Sequence, residues 1–442
     1  MEKTNGKNIF IIDGGYKLNP IYNINIYMLI LMILSGINIS IFTIILLDKF
    51  LDKVLVLVLI WGGGFFTALA FVVNSTNNTD YIRSYILFFL SMIITTIVIL
   101  KNNKKVKIDW NIIFEENKKI FIFLGILCFI LQLSSLIYPE FKLFDLLKIP
   151  GYEANSNVFQ ERIATQSNSV LWIIERLKVL TLPFFYIWLY NERKKTIKVI
   201  SIFLFYYYID WVKNGYISRS AIVVYITFII LYLAVQNIIS KKMLFIIIIV
   251  SIFTLIPLIN VLEYLRVGKS ISNNNGFLYN LLQLISSEGE NQKYLNICNS
   301  FSNELSFGKY ILYGISSPLF FLPDIDFPVL SYAFTERILG LKYGQANYYI
   351  LLPGSFGEGI MIFGKYFSWL YGIFIGGFTT FFYKFFTRNK FMTLWGIMYI
   401  MDLARSFRGG TQTFFIATIN TSLLLFMVLI LLKFKEDKKL IK

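Results

Sequence analysis

Three arginines and one glutamate occupy the ends of long apolar runs in the second half of this sequence. Arg219 begins one run, Arg266 follows the next, Glu358 precedes another, and Arg408 ends the one after that. A guanidinium holds phosphate oxygens through two parallel hydrogen bonds and keeps its charge in proteins. A carboxylate takes the proton of a reacting hydroxyl when it acts as a general base. The three arginines therefore predict a site that binds an acidic group, and the glutamate is the candidate carboxylate of that site.

A second set of polar residues near the same helix ends predicts substrate binding. Its members are Arg405, Arg176, Glu175, Asp210 and Tyr264. Arg405 and Arg408 are three positions apart and share one face if the helix extends that far. The alternative is that these residues are interfacial anchors, whose side chains reach for water, and that Lys178 pairs with Glu175. The basic residues at these helix ends are mainly arginine, whereas the basic clusters in the alternate connections are mainly lysine. This difference favours binding of an anion at the arginine-rich helix ends.

The residue inventory excludes several kinds of catalytic site. The sequence contains no histidine and only two cysteines, Cys128 and Cys298. A histidine base, a histidine-ligated metal and a cysteine-ligated zinc are therefore excluded. Two cysteines placed so differently do not make a disulfide framework, and we expect both to be inert. We expect no metal and no cofactor.

The composition is that of a membrane protein. Of 442 residues, 56% are hydrophobic and only 15% are charged, whereas soluble domains carry about 25% charged residues. The net charge of +16 comes from short basic clusters between apolar runs, a pattern that indicates membrane topology and not binding of nucleic acid. We predict an all-α polytopic membrane protein that forms a single integral-membrane domain over residues 1–442.

Applying a length of about 20 apolar residues per span predicts about 11 (10–12) transmembrane helices. The predicted spans are residues 24–47, 54–73, 82–100, 120–138, 168–190, 197–213, 219–236, 243–262, 360–383, 391–407 and 411–432. Lysine and arginine crowd into short connections on alternate sides, and the positive-inside rule makes that side cytoplasmic. The other side then faces the periplasm or the cell exterior. The composition is rich in Ile, Asn and Lys, as in AT-rich bacterial genomes, so we expect the chain in a bacterial cytoplasmic (inner) membrane.

Two long connections lie on the predicted outer side. Residues 263–359 form a long extracytoplasmic loop, a lid between the eighth and ninth spans, and residues 139–167 form a second outer loop. Within the lid, 277–295 has the spacing of an amphipathic surface helix. Residues 310–327 are apolar but broken by prolines, which predicts a re-entrant or interfacial piece. The glycines after Trp61 lie inside an apolar run and predict close helix packing.

These motifs resemble a known family. A Ser-Arg pair ends at Arg219, Arg266 follows the next helix, and a long outer loop then leads into Gly354-Ser355-Phe356-Gly357-Glu358 and Phe363-Gly364. Arg408-Gly409 stands before the last helix, and Lys17-Leu18-Asn19-Pro20 stands before the first. The arrangement is similar to that of the bacterial polysaccharide repeat-unit polymerases (Wzy; O-antigen or capsule polymerases).

The resemblance implies a membrane glycosyltransferase that joins undecaprenyl-diphosphate-linked oligosaccharides into O-antigen, capsule or exopolysaccharide. Arg219, Arg266 and Arg408 would neutralise the departing diphosphate, and Glu358 would be the general base. The implied partners are the lipid-linked oligosaccharide, the bilayer and a chain-length regulator protein. The alternatives are an O-antigen ligase, which usually uses a histidine that this chain lacks, and a lipid-linked oligosaccharide flippase, which often has duplicated halves.

Overall fold

The computed structural model describes residues 26–65, 79–102, 110–137, 169–214, 219–240, 294–317, 325–343 and 350–440, together with residues 243, 246, 247 and 345. Within these ranges the backbone is mostly helical and contains no strand. The all-α prediction is therefore confirmed for the part of the chain that the structure describes.

The helices are named here in chain order. They are α1 (Ile26–Leu46), α2 (Phe50–Val58), α3 (Thr79–Lys101), α4 (Trp110–Glu116), α5 (Lys118–Ile137), α6 (Ser169–Asn191), α7 (Thr196–Asn214), α8 (Arg219–Val235), α9 (Leu295–Ser300), α10 (Phe307–Ser316), α11 (Leu330–Leu339), α12 (Gly354–Arg388), α13 (Thr393–Gly409) and α14 (Thr411–Leu440). A π-helical segment, Leu59–Phe65, continues α2, and short 3-10 turns cover Phe301–Asn303 and Lys390–Met392.

Three of the described helices are long and apolar enough to cross a membrane. They are Asp80–Lys101, Gly354–Arg388 and Thr411–Lys435. A fourth span results if Trp110–Glu116 and Lys118–Ser134, which meet at a bend of 78°, count as one. These helices are those of an all-α membrane protein. The number of eleven spans stays a prediction, and the predicted span 243–262 lies almost wholly outside the described residues.

Helix α12 is broken at Gly364, where φ is 74° and ψ is 170°. Glycine adopts a positive φ without the steric cost that a Cβ atom brings. The side chains of Glu358 and Tyr371, on either side of the break, form a hydrogen bond of 3.1 Å. In a straight helix their Cα atoms would stand about 20 Å apart. Residues 354–363 therefore fold back against residues 365–388, and we call this unit the Gly364 hairpin.

Glycines let the second half of the hairpin lie directly against α3. A Cβ atom added to Gly372 would lie 2.3 Å from the carbonyl oxygen of Phe88, and one added to Gly376 would lie 2.4 Å from that of Met92. Small residues four positions apart allow such close backbone approach between helices in a membrane. Alanine at either position would force the two helices apart.

The glycines after Trp61 serve close packing, as predicted. They lie in the π-helical segment, and a Cβ atom on Gly63 would meet the ring of Phe407 at 2.8 Å and the side chain of Met92 at 2.9 Å. The segment therefore supports the C-terminal end of α13.

Cys128 and Cys298 are both buried and free.

Residues 263–359, predicted as a lid, hold α9, α10, α11 and the first residues of α12 in their described part. The word lid refers below to α9, α10 and α11 with the turns that join them. Arg337 of α11 makes a two-pronged ion pair with Glu304, with N–O distances of 3.0 and 2.7 Å. Its guanidinium carbon also lies 3.7 Å from the centre of the Phe301 ring. This brace holds α11 against the turn that follows α9. Helix α10 has 10 residues, about 15 Å, which is shorter than a span.

The lid docks on the hairpin through α9. The Asn299 side chain accepts a hydrogen bond of 2.9 Å from the backbone N–H of Lys365, directly after the break at Gly364. Tyr81 of α3 donates to the Asn296 side chain at 2.8 Å. Most of the predicted surface helix 277–295 and all of the second outer loop, 139–167, lie outside the described residues.

Candidate functional site

Glu358 lies inside the Gly364 hairpin, with 1% of its surface exposed. Its Oε2 atom accepts four hydrogen bonds. The backbone N–H and the hydroxyl of Thr411 donate at 2.6 Å each, the N–H of Gln412 at 3.1 Å, and the hydroxyl of Tyr371 at 3.1 Å. This oxygen leaves no room for a substrate hydroxyl in the observed arrangement. The role of Glu358 as general base stays a prediction.

The contacts of Glu358 form a cap on α14. The first N–H groups of a helix have no partner inside the helix and carry partial positive charge, so a carboxylate there is stabilising. Gly410 makes the approach possible because a Cβ atom on it would lie 2.5 Å from Glu358 Oε1. Gly410 also has φ of 100°, which a residue with a side chain rarely adopts. Glu358 thus fixes where α13 ends and α14 begins.

A chain of hydroxyl groups extends from this cap into the lid. Tyr310 of α10 and Tyr371 of the hairpin meet through their hydroxyls at 2.9 Å, and Tyr371 meets the Thr411 hydroxyl at 2.8 Å. Tyr310 and Tyr371 are both almost fully buried. A buried hydroxyl without a partner is costly, so the chain holds α10 to the start of α14.

Gln412 makes the second connection between the cap and the lid. Its side-chain oxygen accepts from the backbone N–H of Leu330 at 2.8 Å, and its Nε2 donates to the carbonyl of Pro328 at 3.1 Å. Its own N–H donates to Glu358. One residue therefore joins the hairpin, α14 and the N-terminus of α11.

A cavity of about 920 Å³ lies on the other side of the α13–α14 junction. Its walls come from the π-helical segment and from α6, α8, α13 and α14. Along α13 the lining extends from Trp395 to Gly409, about 20 Å of helix. Apolar side chains dominate, among them Val179, Leu182 and Val223. The cavity is a slot that suits a long apolar group.

The charged residues lie away from the Trp395 end of this slot, with Asp402 midway along the α13 lining and Arg405 one turn nearer to Gly409. Asp402 and Arg405, one turn apart on α13, both line it, and their side chains are 37% and 44% exposed. The closest approach of the carboxylate to the guanidinium is 3.9 Å. Trp395 lines one end of the slot, and its Nε1 has no hydrogen-bond partner within the described ranges. Arg405 is the only cation among the described lining residues.

For two of the arginines that were predicted to be catalytic, the structure describes only backbone positions relative to the slot. Arg219 is the first residue of α8, one turn before Val223, which lines the slot. Arg408 lies in the last turn of α13, next to the lining residues Phe407 and Gly409. Arg266 and Tyr264 lie outside the described residues.

The predicted binding residues Glu175 and Asp210 belong to a separate cluster. Lys178, which is 9% exposed, lies 3.0 Å from Glu175 Oε2 and 3.5 Å from Asp210 Oδ1. Gln132 of α5 donates to Asp210 at 2.7 Å. The Lys178 ammonium joins α6 to α7, and the Gln132 amide joins α5 to the same carboxylate of α7, at a low-dielectric position. Neither carboxylate lines the slot.

Arg176, which was also predicted to bind substrate, lies on the same turn of α6. Its guanidinium carbon is 5.2 Å from the centre of the Trp172 ring. This distance is typical of a cation–π contact. Arg176 is not among the described lining residues of the slot.

The sequence interpretation missed Asp402, the one carboxylate among the described residues that line the slot. The signal was present, since Asp402, Arg405 and Arg408 recur every three residues at the end of one apolar run. Such spacing puts neighbouring members on adjoining positions of a helix face.

The described residues contain no group of three Asp, Glu or Cys side chains that could hold a metal ion. Comparison of the chain with protein-family models, with curated proteins and with solved structures gives no match.

Proposed function

We propose that the chain is a membrane glycosyltransferase that polymerises undecaprenyl-diphosphate-linked oligosaccharide repeat units. The product would be O-antigen, capsule or exopolysaccharide, made at the outer face of a bacterial cytoplasmic membrane. The observation that carries the proposal is the slot along α13, which has mainly apolar walls and places Arg405 about 15 Å from its Trp395 end. A polyisoprenyl diphosphate has this same division into a long apolar tail and a compact anionic head.

In the proposed reaction, a sugar hydroxyl of one repeat unit attacks the anomeric carbon of the growing chain. The bond from the anomeric carbon to the diphosphate oxygen breaks, and the new glycosidic bond forms. Undecaprenyl diphosphate leaves with the electron pair, and the hydroxyl proton passes to a base. No nucleotide sugar takes part.

Arg405 is the described residue best placed to stabilise the leaving diphosphate, because it is half-exposed in the slot. Charge-assisted hydrogen bonds to an anion that forms during reaction are commonly a large catalytic term. Arg219 and Arg408 belong to the same proposal through the position of their backbones, and Arg266 through the sequence motif. Tyr264 stands beside Arg266 in that motif.

The test uses the purified full-length chain in liposomes, with lipid-linked repeat units extracted from the organism that encodes it. A ladder of products differing by one repeat unit supports polymerisation. Transfer of one unit to a lipid A core without a ladder would indicate a ligase. Movement of intact units across the bilayer without either product would indicate a flippase.

The matched variants are R405A and R388A, because Arg388 is exposed at the far end of α12 and does not line the slot. Loss of a group that stabilises developing charge typically slows a reaction by about 10²–10³-fold. We expect that loss in R405A and a rate within about 2-fold of wild type in R388A. Equal rates in the two variants would contradict the proposed role of the slot.

A further inference from the structure

The two carboxylates near the α13–α14 junction differ in what surrounds them. Glu358 is 1% exposed, and its Oε2 already accepts four hydrogen bonds. The Asp402 side chain is 37% exposed and lines the slot. Among the described side chains, its charged partner is Arg405 at 3.9 Å, which is too far for a hydrogen bond. Among the described residues, only Asp402 presents a carboxylate to a molecule in the slot.

A general base must come within hydrogen-bond distance of the proton that it removes. In the slot this condition favours Asp402, because no described residue donates a hydrogen bond to it and its side chain faces open space. Glu358 could meet the condition only after giving up its contacts with Thr411, Gln412 and Tyr371. Those contacts fix the start of α14, so their loss would also disturb the slot.

Arg405 stands on the next turn of the same helix face, three residues from Asp402. In the proposed step the hydroxyl oxygen bonds to the anomeric carbon while the diphosphate leaves it. A cation and a carboxylate side by side on one wall can therefore serve the two ends of the reacting assembly. The positive charge of Arg405 also explains how the Asp402 carboxylate can lie in a largely apolar cavity.

We propose that Asp402 is the general base of the glycosyl transfer and that Glu358 is a positioning residue. Asp402 takes the proton from the sugar hydroxyl as its oxygen bonds to the anomeric carbon and the bond to the diphosphate breaks. The inference rests on the proposed function, since it assigns a residue to that reaction.

The test separates donor binding from chemistry. Binding is measured with undecaprenyl diphosphate alone, as thermal stabilisation of the protein in detergent, and chemistry as the initial rate of ladder formation. We expect D402N to bind undecaprenyl diphosphate within about 3-fold of wild type and to polymerise at least ~100-fold more slowly, because general-base catalysis contributes about 10²–10⁴-fold. E358Q, which weakens the cap on α14, should lower both the binding of undecaprenyl diphosphate and the rate, whereas D402N should lower the rate alone.

Rescue distinguishes a base from a merely structural group. Formate, a small carboxylate, should restore part of the activity of D402A when added at high concentration, but none of the activity of R405A. A ladder formed by D402N at the wild-type rate would overturn the assignment of Asp402 and leave the polymerase proposal standing. Absence of any ladder from the wild-type protein would overturn both.

Discussion

Thr411 donates two hydrogen bonds of 2.6 Å to a single oxygen of Glu358, one from its backbone N–H and one from its hydroxyl. The two residues are 53 positions apart and belong to different helices. Their contact ties the first segment of the Gly364 hairpin to the first turn of α14. Since α13 and α14 both line the slot, this contact sets the shape of the slot without facing it.

Replacing Glu358 with alanine should destabilise the protein strongly. The change leaves two backbone N–H groups and two hydroxyls without their acceptor, and each buried donor left unsatisfied costs about 1–3 kcal/mol. We expect E358A to lose about 3 kcal/mol or more of the free energy of unfolding, and E358Q to lose less because its amide oxygen still accepts from the N–H groups. Thermal denaturation in detergent, followed by size-exclusion chromatography, measures both.

Glu116 supplies the control for that experiment, because it is an exposed glutamate at the end of α4. E116A should melt within about 1 °C of wild type, as surface substitutions usually change stability by less than about 0.5 kcal/mol. An E358A protein as stable as E116A would show that the cap contributes nothing.

The neighbouring glycines Gly409 and Gly410 give a second prediction. G410A brings a Cβ atom to about 2.5 Å from Glu358 Oε1 and also forces alanine to φ of 100°. A non-glycine residue in such a conformation costs about 1–3 kcal/mol before any overlap is counted. We expect a clear fall in melting temperature for G410A, and measurement by thermal denaturation suffices.

G409A is the matched control, since a Cβ atom added to Gly409 meets nothing within 4 Å. Alanine favours the helical conformation relative to glycine, so G409A should melt at or slightly above the wild-type temperature. Equal losses in the two variants would mean that neither φ nor the Glu358 contact constrains this junction.

The sequence singled out Glu358 by residue type and by its place before an apolar run, but it could not assign what the carboxylate contacts. The partners Tyr371, Thr411 and Gln412 lie 13, 53 and 54 residues away. In the sequence alone, a glutamate that caps a helix cannot be distinguished from a glutamate that acts as a general base. Asp402 is the opposite case, a residue that lines the slot but was not predicted. The interpretation of the sequence selected the arginines that follow it and not the acidic residue itself.

The fold was predictable to the extent that composition determines it. Apolar runs of membrane-spanning length predicted an all-α membrane protein. In lipid every backbone N–H and C=O group must find its hydrogen-bond partner within the protein, and a helix achieves this within one segment. The hairpin at Gly364 was not predictable in this way. Apolar residues lie on both sides of the break, and the single charge of Lys365 next to it is also compatible with a straight helix. The backbone angles at Gly364 separate a hairpin from a straight helix.

Removing the Gln412 side chain should loosen the lid while the bundle stays folded. Q412A deletes the contacts to Leu330 and Pro328 but keeps the backbone N–H that donates to Glu358. A typical hydrogen bond contributes about 0.5–1.5 kcal/mol, so we expect local opening at the start of α11. Hydrogen–deuterium exchange should rise in peptides covering 327–335 and stay unchanged in α3.

T413A is the matched control for the loss of the Gln412 side chain. Thr413 is exposed at the next position of α14, and its hydroxyl donates to the carbonyl of Gly410 at the start of the same helix. Exchange in 327–335 should therefore not change in T413A. An unchanged exchange pattern in Q412A would remove the proposed connection between α14 and the lid.

The pair formed by Glu304 and Arg337 predicts an acid-dependent change in the lid. The hydrogen bond from Arg337 lowers the pKa of Glu304 below its ordinary value of 4.5. A lowered pKa in the folded state means that the pair stabilises the lid at neutral pH and that this stabilisation is lost as the pH falls through the lowered pKa. Because amide exchange slows intrinsically as the pH falls, the comparison uses protection factors. Protection in peptides covering 298–306 should decrease on acidification, and E304Q should show the lower protection already at pH 7.

A variant of Arg337 tests whether the Glu304–Arg337 pair causes that pH dependence. In an R337Q background the carboxylate of Glu304 has lost its partner, so adding E304Q should no longer alter exchange at either pH. The Phe301 ring, over which Arg337 lies, is affected equally in R337Q and in the double variant, so that contact cancels in the comparison. A remaining effect of E304Q in this background would assign the acid sensitivity to a group other than the Glu304–Arg337 pair.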